Sequence, residues 1–308
     1  MRDVEYLRRP DSPLLRTVTV RGVNLAVWDW PGENPSLLFV HATGFHGRIW
    51  DQTVRDFPDR RVIAIDLRGH GRSSKPDPPY HWPDFGMDLA QAAEALKLED
   101  AIGIGHSTGG HALVLAASER PATCAALLLI DPTIFPTDFY GRQAGDASYI
   151  ARRRNLWKSP DEMFERFHDR PPFASWQQHV LHDYCEFGLL PQDDTFVLAC
   201  PPAVEASIYS HATVPESNLN ERLHSIRQPV TVLRGGIPWI PGIFNLNASP
   251  TDPDLAAHFP NGRDLPLPGR THYIPMESPE LVTAEIRAIA QALTLSGRTT
   301  THGGCARP

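Results

Sequence analysis

Short apolar runs alternate with amphipathic stretches over the first 131 positions of the chain. LLRTVTV and NLAVWDW, rich in β-branched and aromatic residues, lie on either side of RG and predict an opening hairpin. PSLLFVH, RRVIAIDL, DAIGIG and CAALLLID are apolar throughout, as strands buried on both faces of a parallel sheet are. GRIWDQTVRDF, DFGMDLAQAAEALKL and TGGHALVLAASERP, which lie between these runs, have apolar positions at helical spacing. This rhythm predicts right-handed crossovers and a mainly parallel sheet covered by helices.

The rhythm stops after Asp131 and resumes near position 227. Residues 133–226 contain no convincing buried strand, and DASYIARRRNLW, SPDEMFERFH and SWQQHVLHDYCEFGLL are typical of short helices. The strands QPVTVLRGG and RDLPLPG follow, and SPELVTAEIRAIAQALTL predicts a final helix with Ser278 as N-cap and Pro279 at its first position. We predict a core of residues 1–132 and 227–295, an inserted helical unit at 133–226 and a disordered tail at 296–308.

A serine stands where one predicted strand meets the following helix. In GIGHSTGG, Ser107 comes directly before a helix that starts near Thr108. A turn of this kind pushes the serine hydroxyl out of the sheet, and flanking glycines permit a close backbone approach. The helix N-terminus offers free N–H groups and a positive dipole end, so the Thr108 N–H is a candidate oxyanion donor. Ser107 is therefore a candidate nucleophile, and the alternative is a purely structural turn.

A serine hydroxyl needs a base to become an effective nucleophile. Among the fourteen histidines, His272 lies in a loop between the last predicted strand and the final helix. From there it can accept the serine proton and return it to the leaving group. His106 adjoins the candidate nucleophile, but neighbouring side chains on such a turn point in different directions. We expect a structural or pocket-lining role for His106.

Four motifs, in this order along the chain, resemble those of the α/β-hydrolase fold superfamily: HATGFHGRIW, DLRGHGRSS, GHSTGG and GRTHYIPMESPE. The resemblance covers residues 15–295 apart from the insertion, which corresponds to the variable helical cap of that family. It implies a mostly parallel, eight-stranded sheet flanked by helices, with the cap shaping the substrate pocket. It also implies hydrolysis through an acyl-enzyme intermediate, without a cofactor and without a metal ion.

The sequence departs from the family pattern at the oxyanion motif. The common His-Gly pair is replaced by His41-Ala42. The resemblance then implies the N–H of Thr43 as the second oxyanion donor, with Gly44 or Phe45 as alternatives.

A second departure concerns the acid of the catalytic triad. Family members usually carry it a few residues after the strand that corresponds to QPVTVLRGG, in a pattern like RGxxD, but this chain reads RGGIP there. The fold also allows an acid at the end of the preceding strand, where Asp131 stands in LLLIDP. Asp131 could instead only begin a turn before a proline. We predict that Asp131 orients His272, with Asp252 and Asp254 as alternatives.

Composition and charge narrow the possible partners. The net charge is −7, and no basic cluster occurs beyond Arg152–Arg154, which argues against nucleic acid and favours a small-molecule substrate. A solvated helix face is the expected place for these arginines. The sequence does not predict an oligomeric state.

Cysteine spacing and apolar runs bear on the compartment. The four cysteines form no CxxC pair, so neither a zinc site nor a disulfide framework is indicated. The N-terminus lacks the apolar stretch of a signal peptide, and no apolar run is long enough to cross a bilayer. We therefore expect a cytoplasmic protein that does not act in a membrane.

Aromatic residues are concentrated in the predicted insertion, with thirteen between Phe135 and Tyr209. Most are expected to pack that unit, and some could line a pocket next to Ser107. The sequence thus predicts a serine hydrolase that cleaves a carboxylic ester or lactone of a small, apolar or aromatic substrate. The same residues serve C–C bond hydrolases, perhydrolases or haloperoxidases, and cofactor-free dioxygenases of this fold. A ligand-binding receptor with little turnover is the alternative outside enzymes.

Overall fold

The computed structural model describes residues 12–142, 148–240, 243 and 245–301. Its strands are β1 (Leu14–Val20), β2 (Val23–Trp30), β3 (Glu33–Val40), β4 (Arg60–Ile65), β5 (Ala101–His106), β6 (Cys124–Ile130), β7 (Leu156–Trp157), β8 (Leu189–Gln192), β9 (Thr195–Leu198), β10 (Val230–Gly235) and β11 (Gly262–Leu267). Its α-helices are α1 (Asp51–Val54), α2 (Trp82–Ala95), α3 (Thr108–Glu119), α4 (Ser148–Ala151), α5 (Pro160–Phe167), α6 (Gln178–Phe187), α7 (Pro202–Ser210), α8 (Asn220–Leu223), α9 (Ile274–Glu277) and α10 (Pro279–Thr301).

The larger sheet has eight strands in the order β1-β2-β4-β3-β5-β6-β10-β11. β2 pairs antiparallel with both β1 and β4, and the other neighbouring pairs are parallel. All eight strands coincide with the apolar runs identified in the sequence, so the opening hairpin and the mainly parallel sheet are confirmed. Because parallel strands end at the same edge of a sheet, the carboxyl ends of β3, β5, β6 and β10 lie side by side.

Neighbouring residues of the central strands point to opposite faces of this sheet. Leu38 and Val40 belong to the apolar cluster that includes α2 and α3. Leu37 and Phe39 belong to the cluster on the other face, which includes residues of α1 and α10. Since both faces are covered, residues 37–40 of β3 are apolar at every position rather than at alternate ones.

The insertion contains a small sheet that the sequence did not predict. β7, β9 and β8 form three antiparallel strands within 133–226. β7 has only two residues, and β8 contains Pro191, so neither run shows a readable two-residue period. The expectation of a purely helical insertion is therefore wrong in this part.

The last part of the predicted insertion packs with the core. Leu219, Leu223 and Ile226 are buried in the same apolar cluster as residues of α3. This segment includes α8, a helix of only four residues, whose apolar positions are too few to show which neighbour they face. The predicted boundary at 226 thus places α8 in the insertion, although this helix packs with the core.

The final helix begins at Pro279, as predicted. Ser278 does not cap it through its side chain, because its Oγ is buried without a hydrogen-bond partner among the described residues. The helix continues to Thr301, so residues 296–301 of the tail that was predicted to be disordered are helical. Residues 302–308 lie outside the described part. Within the described ranges, no helix combines the length and apolarity needed to cross a bilayer.

A buried polar cluster joins the insertion to the core. Gln52 of α1 donates its Nε2–H to Asp183 of α6 at 2.5 Å. Burial raises the pKa of Asp183 to about 7, and the negative charge of Asp51 adds to this increase. The positive charges of Arg55 and Arg48 oppose it. Asp183 thus titrates near neutrality at the contact between the two units.

The stability of the wild type is expected to decrease as the pH rises, because Asp183 becomes ionised. The Asp183→Asn variant should not show this decrease. The unfolded chain ionises this carboxyl near 3.8 and the folded protein near 7, so wild-type stability falls from about pH 4 to about pH 7. The difference in melting temperature between Asp183→Asn and wild type should therefore increase over this range in thermal unfolding. The exposed Asp59→Asn variant is the control. A variant with the pH dependence of the wild type would contradict the raised pKa.

Candidate active site

Ser107 occupies the sharp turn between β5 and α3. Its φ of 54° and ψ of −118° are rare for a residue with a side chain. The side chain is nearly buried but lines a cavity. Its Oγ lies 3.1 Å from Thr133 Oγ1, a hydrogen bond that the sequence did not indicate. The structure thus places Ser107 on the strand-to-helix turn that was expected to present it.

Glycines allow this turn to lie close to the ends of the neighbouring strands. A Cβ at Gly109 would lie 2.2 Å from the carbonyl oxygen of Val40 in β3. A Cβ at Gly105 would lie 2.7 Å from the Gly109 carbonyl oxygen. Both distances are shorter than van der Waals contact, so any side chain would push the start of α3 away from the sheet.

His272 is oriented by Asp131. The Nδ1 of His272 lies 2.6 Å from Asp131 Oδ2, and Asp131 is fully buried at the end of β6. The other carboxylate oxygen accepts hydrogen bonds from Gly235 N–H at 2.9 Å and Ser249 Oγ at 2.6 Å. A carboxylate held in this way keeps the proton of a neutral imidazole on Nδ1 and leaves Nε2 for proton transfer.

The two alternative acids lie elsewhere. Asp252 accepts a hydrogen bond from the Asp254 N–H at 2.9 Å, and its carboxylate lies 3.6 Å from His258 Nε2. Asp254 is exposed. Among the described residues, no hydrogen bond joins either of them to His272. The structure therefore places Asp131, and not Asp252 or Asp254, within hydrogen-bond distance of His272.

The loop after β3 provides an unused backbone donor. Thr43 Oγ1 lies 2.5 Å from Thr108 Oγ1, so this loop and the start of α3 are in contact. Gly44 N–H donates to His70 Nε2 at 3.0 Å, and Phe45 N–H donates to a carbonyl in its own loop at 3.2 Å. Of the three amides considered from the sequence, only that of Thr43 has no hydrogen-bond partner among the described residues. The Thr108 N–H also has none there.

Two buried histidines hold this loop. His41 Nε2 accepts from Leu67 N–H at 3.0 Å, and its Nδ1 donates to the Ala42 carbonyl at 2.8 Å. His70 Nδ1 donates to the Arg68 carbonyl at 2.9 Å. Burial lowers the pKa of His41 to about 3 and that of His70 well below its usual value, so both rings are neutral. Each neutral ring donates from one nitrogen and accepts at the other, which fixes the loop next to Ser107.

His106 has the pocket-lining position expected for it. It is fully buried, and its Nε2 donates to the backbone carbonyl of His272 at 2.9 Å. Burial, followed by the nearby charge of His272, lowers the pKa of His106 well below its usual value. A neutral His106 thus supports the backbone of the His272 loop.

A cavity of about 210 Å³ lies between the Ser107 turn and the insertion. Ser107 and His272 both line it, and eight further lining residues are aromatic. The aromatic residues are Phe45, Tyr149, Phe167, Phe173, Trp176, Tyr184, Tyr209 and Tyr273. Six of these eight come from the insertion, in the segment that the sequence showed to be rich in aromatic residues.

A smaller cavity, of about 90 Å³, also reaches Ser107 and His272. Thr133 contributes to its wall. Tyr209 and Leu246 also line both cavities. The candidate nucleophile thus borders two cavities.

Two charged residues of the larger cavity were missed. Arg153, expected on a solvated helix face, lines the cavity and forms an ion pair with Glu205. The one available signal was Glu205 itself, a lone charge in the apolar helix PAVEASIYS, because an isolated carboxylate among apolar residues is usually buried with a partner. No group of His, Cys, Asp or Glu side chains within the described ranges is arranged to hold a metal ion.

Comparison with known proteins decides the family. The sequence profile of the alpha/beta hydrolase family matches residues 37–285. The chain belongs to this family. The resemblance inferred from the four motifs is therefore confirmed, and so is the fold that it implied.

Individual relatives match this α/β hydrolase over most of its length. A 2-(acetamidomethylene)succinate hydrolase of Mesorhizobium japonicum is 26% identical over 283 residues, 90% of this chain and 95% of the relative. A bifunctional esterase/perhydrolase of Acinetobacter calcoaceticus is 22% identical, over 89% of this chain and 98% of the relative. A crystal structure of E-2-(acetamidomethylene)succinate hydrolase has a TM-score of 0.74 at 23% identity, over 91% of this chain and 99% of the other. The sheet and its flanking helices are thus those of the α/β-hydrolase fold.

Replacing Gly109 by Ala in this α/β hydrolase is expected to lower the free energy of unfolding by about 1–3 kcal/mol, because the new methyl group would overlap the Val40 carbonyl. Gly269→Ala is the matched control, since a Cβ there meets no atom within 4 Å. Its effect should stay within about 0.5 kcal/mol in denaturant titrations. If both variants were equally stable, the close approach of α3 to β3 would be refuted.

Proposed function

We propose that this α/β hydrolase cleaves a carboxylic ester or lactone of a small substrate through an acyl-enzyme intermediate on Ser107. The observation that carries the proposal is the 2.6 Å contact between Asp131 and His272, beside a cavity that His272 shares with Ser107. A serine on a strained turn, an imidazole of fixed tautomer and a buried carboxylate are the groups that acyl transfer requires.

The proposed reaction begins with rotation of the Ser107 hydroxyl. In the structure it bonds to Thr133, and no hydrogen bond of the described residues joins it to His272. Turning about one side-chain bond directs the proton to His272 Nε2 as Oγ attacks the carbonyl carbon. The N–H groups of Thr43 and Thr108 stabilise the oxyanion, and Asp131 stabilises the imidazolium.

His272 then returns the proton to the leaving oxygen, and the alcohol departs. A water molecule gives up a proton to His272 and attacks the acyl-enzyme. His272 then gives this proton to Ser107 Oγ as the bond between Oγ and the acyl carbon breaks, which releases the acid and restores both residues. In a lactone the alcohol and acid are parts of one product molecule. No step of this proposal uses a cofactor or a metal ion.

The walls of the larger cavity support a small, apolar or aromatic substrate. Eight aromatic side chains surround a volume of about 210 Å³, which is below the usual range for drug-sized ligands. The name of the Acinetobacter calcoaceticus relative includes esterase activity, which agrees with an ester as substrate.

Covalent labelling tests the nucleophile. A fluorophosphonate probe should label the wild-type protein on Ser107, since an activated serine hydroxyl attacks its phosphorus. Ser107→Ala and His272→Ala should remove the label and the hydrolysis of short-chain esters. Ser118→Ala, on the same helix that follows Ser107, is the control that should keep both. Absence of labelling together with absence of ester hydrolysis by the wild type would refute the proposal.

Asparagine substitutions test the acid. Asp131→Asn should lower kcat for ester hydrolysis about a thousandfold or more, because an amide at this position favours the wrong tautomer of His272. Asp252→Asn and Asp254→Asn should leave kcat within about threefold of the wild type, since neither side chain contacts His272. Equal and small losses in all three variants, measured by steady-state kinetics, would eliminate Asp131 as the acid.

Perhydrolysis is a second candidate function, favoured by the name of the Acinetobacter calcoaceticus relative. Hydrogen peroxide would replace water in the attack on the acyl-enzyme and release a peracid. Peracid formation that depends on Ser107 would support this activity. Oxygen consumption with a heteroaromatic substrate would instead support a dioxygenase, and ligand binding without turnover would support a receptor.

A further inference from the structure

Arg153 and Glu205 form an ion pair in the wall of the larger cavity. The Nη1 of Arg153 lies 2.8 and 2.6 Å from the two carboxylate oxygens of Glu205. Glu205, on α7, is 4% exposed, and the side chain of Arg153 is 27% exposed. Burying two charges among aromatic side chains costs desolvation free energy that their attraction only partly offsets. The pair is thus poorly explained by stability alone.

The pair lies close to the reacting atoms. Glu205 packs against the loop that carries Thr43, because a Cβ at Gly44 would be 3.1 Å from Glu205 Oε1. Both charged residues line the same cavity as Ser107 and His272. A substrate held at Ser107 therefore extends past this pair if it fills the cavity.

Arg153 retains unused hydrogen-bond donors. Its Nη1 serves Glu205, and its side chain also bonds to Tyr184. A guanidinium has five N–H groups, and the bonds to Glu205 and Tyr184 do not use all of them. The remaining donors belong to a side chain that lines the cavity, where a ligand can accept from them.

The net charge of the site determines which chemical group of a ligand these N–H groups can bind. Glu205 already neutralises Arg153, and the reaction develops a further negative charge on the oxyanion. A substrate carboxylate would add an uncompensated negative charge in an aromatic cavity, which is costly. An uncharged carbonyl, amide or hydroxyl gains a charge-assisted hydrogen bond without that cost.

We propose that Arg153 and Glu205 act as a specificity-determining pair, which binds an uncharged hydrogen-bonding group of the substrate and rejects a carboxylate at the same position. This inference rests on the proposed ester hydrolysis at Ser107 and makes its substrate class narrower. The preferred substrate is an apolar or aromatic ester with one uncharged polar group away from the scissile bond.

Three methyl esters of similar length test the pair: methyl adipamate, which ends in an amide, monomethyl adipate, which ends in a carboxylate, and methyl heptanoate, which ends in a methyl group. Shorter and longer homologues are included, as are esters that carry the same end groups in the alcohol part. The wild type should prefer the amide to the carboxylate in kcat/KM by about tenfold or more, because a bond to a charged donor is gained and no charge is buried.

Glu205→Gln separates the charge of the pair from its shape. The substitution leaves the Arg153 charge unbalanced, so a substrate carboxylate can now pair with it. The ratio of amide to carboxylate kcat/KM should fall at least about tenfold, chiefly through KM. Arg153→Met should abolish the preference for the amide over the methyl-ended ester.

Matched controls lie on the same segment of the chain. Arg154 and Glu162 form a comparable ion pair on the surface, and Arg152 is exposed. Glu162→Gln and Arg152→Met should keep the wild-type ratios. Thermal unfolding of every variant shows whether a change in kinetics follows a loss of structure.

The outcomes separate this inference from the proposed function. Hydrolysis of methyl heptanoate reports on ester hydrolysis alone. If esters are hydrolysed but Glu205→Gln has the same ratios as Glu162→Gln, or lowers kcat/KM for all three esters equally, the specificity role is refuted and ester hydrolysis stands.

If no ester is hydrolysed, the proposed function fails and calorimetry tests the pair directly. Binding of the same esters to Ser107→Ala should favour the amide over the carboxylate, and the order should reverse when Glu205→Gln is added. The inference would be overturned if Ser107→Ala bound the amide and the carboxylate equally, bound neither of them, or bound the carboxylate more tightly.

Discussion

The close approach of α3 to the end of β3 is the constraint on which the rest of the site depends. Gly109 lies against the Val40 carbonyl with no space for a methyl group. This contact places Ser107 at the edge of the sheet, with the start of α3 directly behind it. It also brings Thr108 against Thr43. The N–H groups of these two residues, which have no hydrogen-bond partner in the described part of the chain, thus belong to segments that touch. The nucleophile and the oxyanion donors of the proposed mechanism are therefore positioned by a single packing contact.

The position of the acid follows from the parallel order of the strands. β10 lies beside β6, so the backbone N–H of Gly235 can donate to Asp131 at the end of β6. In the pattern RGxxD, the segment after β10 supplies a carboxylate. In this chain the same segment supplies hydrogen-bond donors, including Ser249 Oγ, to a carboxylate on the neighbouring strand. In the proposed triad, the acid therefore comes from the end of β6 rather than from the segment after β10.

The insertion adds chemistry that the core lacks. Six of its aromatic side chains make much of the cavity wall apolar, and apolar surroundings strengthen electrostatic interactions. Arg153 and Glu205 place one pair of opposite charges in these surroundings, next to the loop that carries Thr43. The core thus positions the candidate catalytic residues, while the insertion supplies most of the aromatic wall of the cavity beside them.

The eight strands of the main sheet, the turn at Ser107 and the candidate residues could be predicted from the sequence, because they depend on short runs and on neighbouring positions. The choice of the acid that meets His272 depends on long-range packing, since Asp131 follows β6 and His272 follows β11, which are far apart in the chain and have only β10 between them in the sheet. Long-range packing also decided that Arg153 lines the cavity, because the partner that holds it, Glu205, lies 52 positions further along the chain on α7. The strands of the insertion escaped prediction since their runs are too short to show a period. Local patterns thus specified the elements, and long-range packing selected the contacts among them.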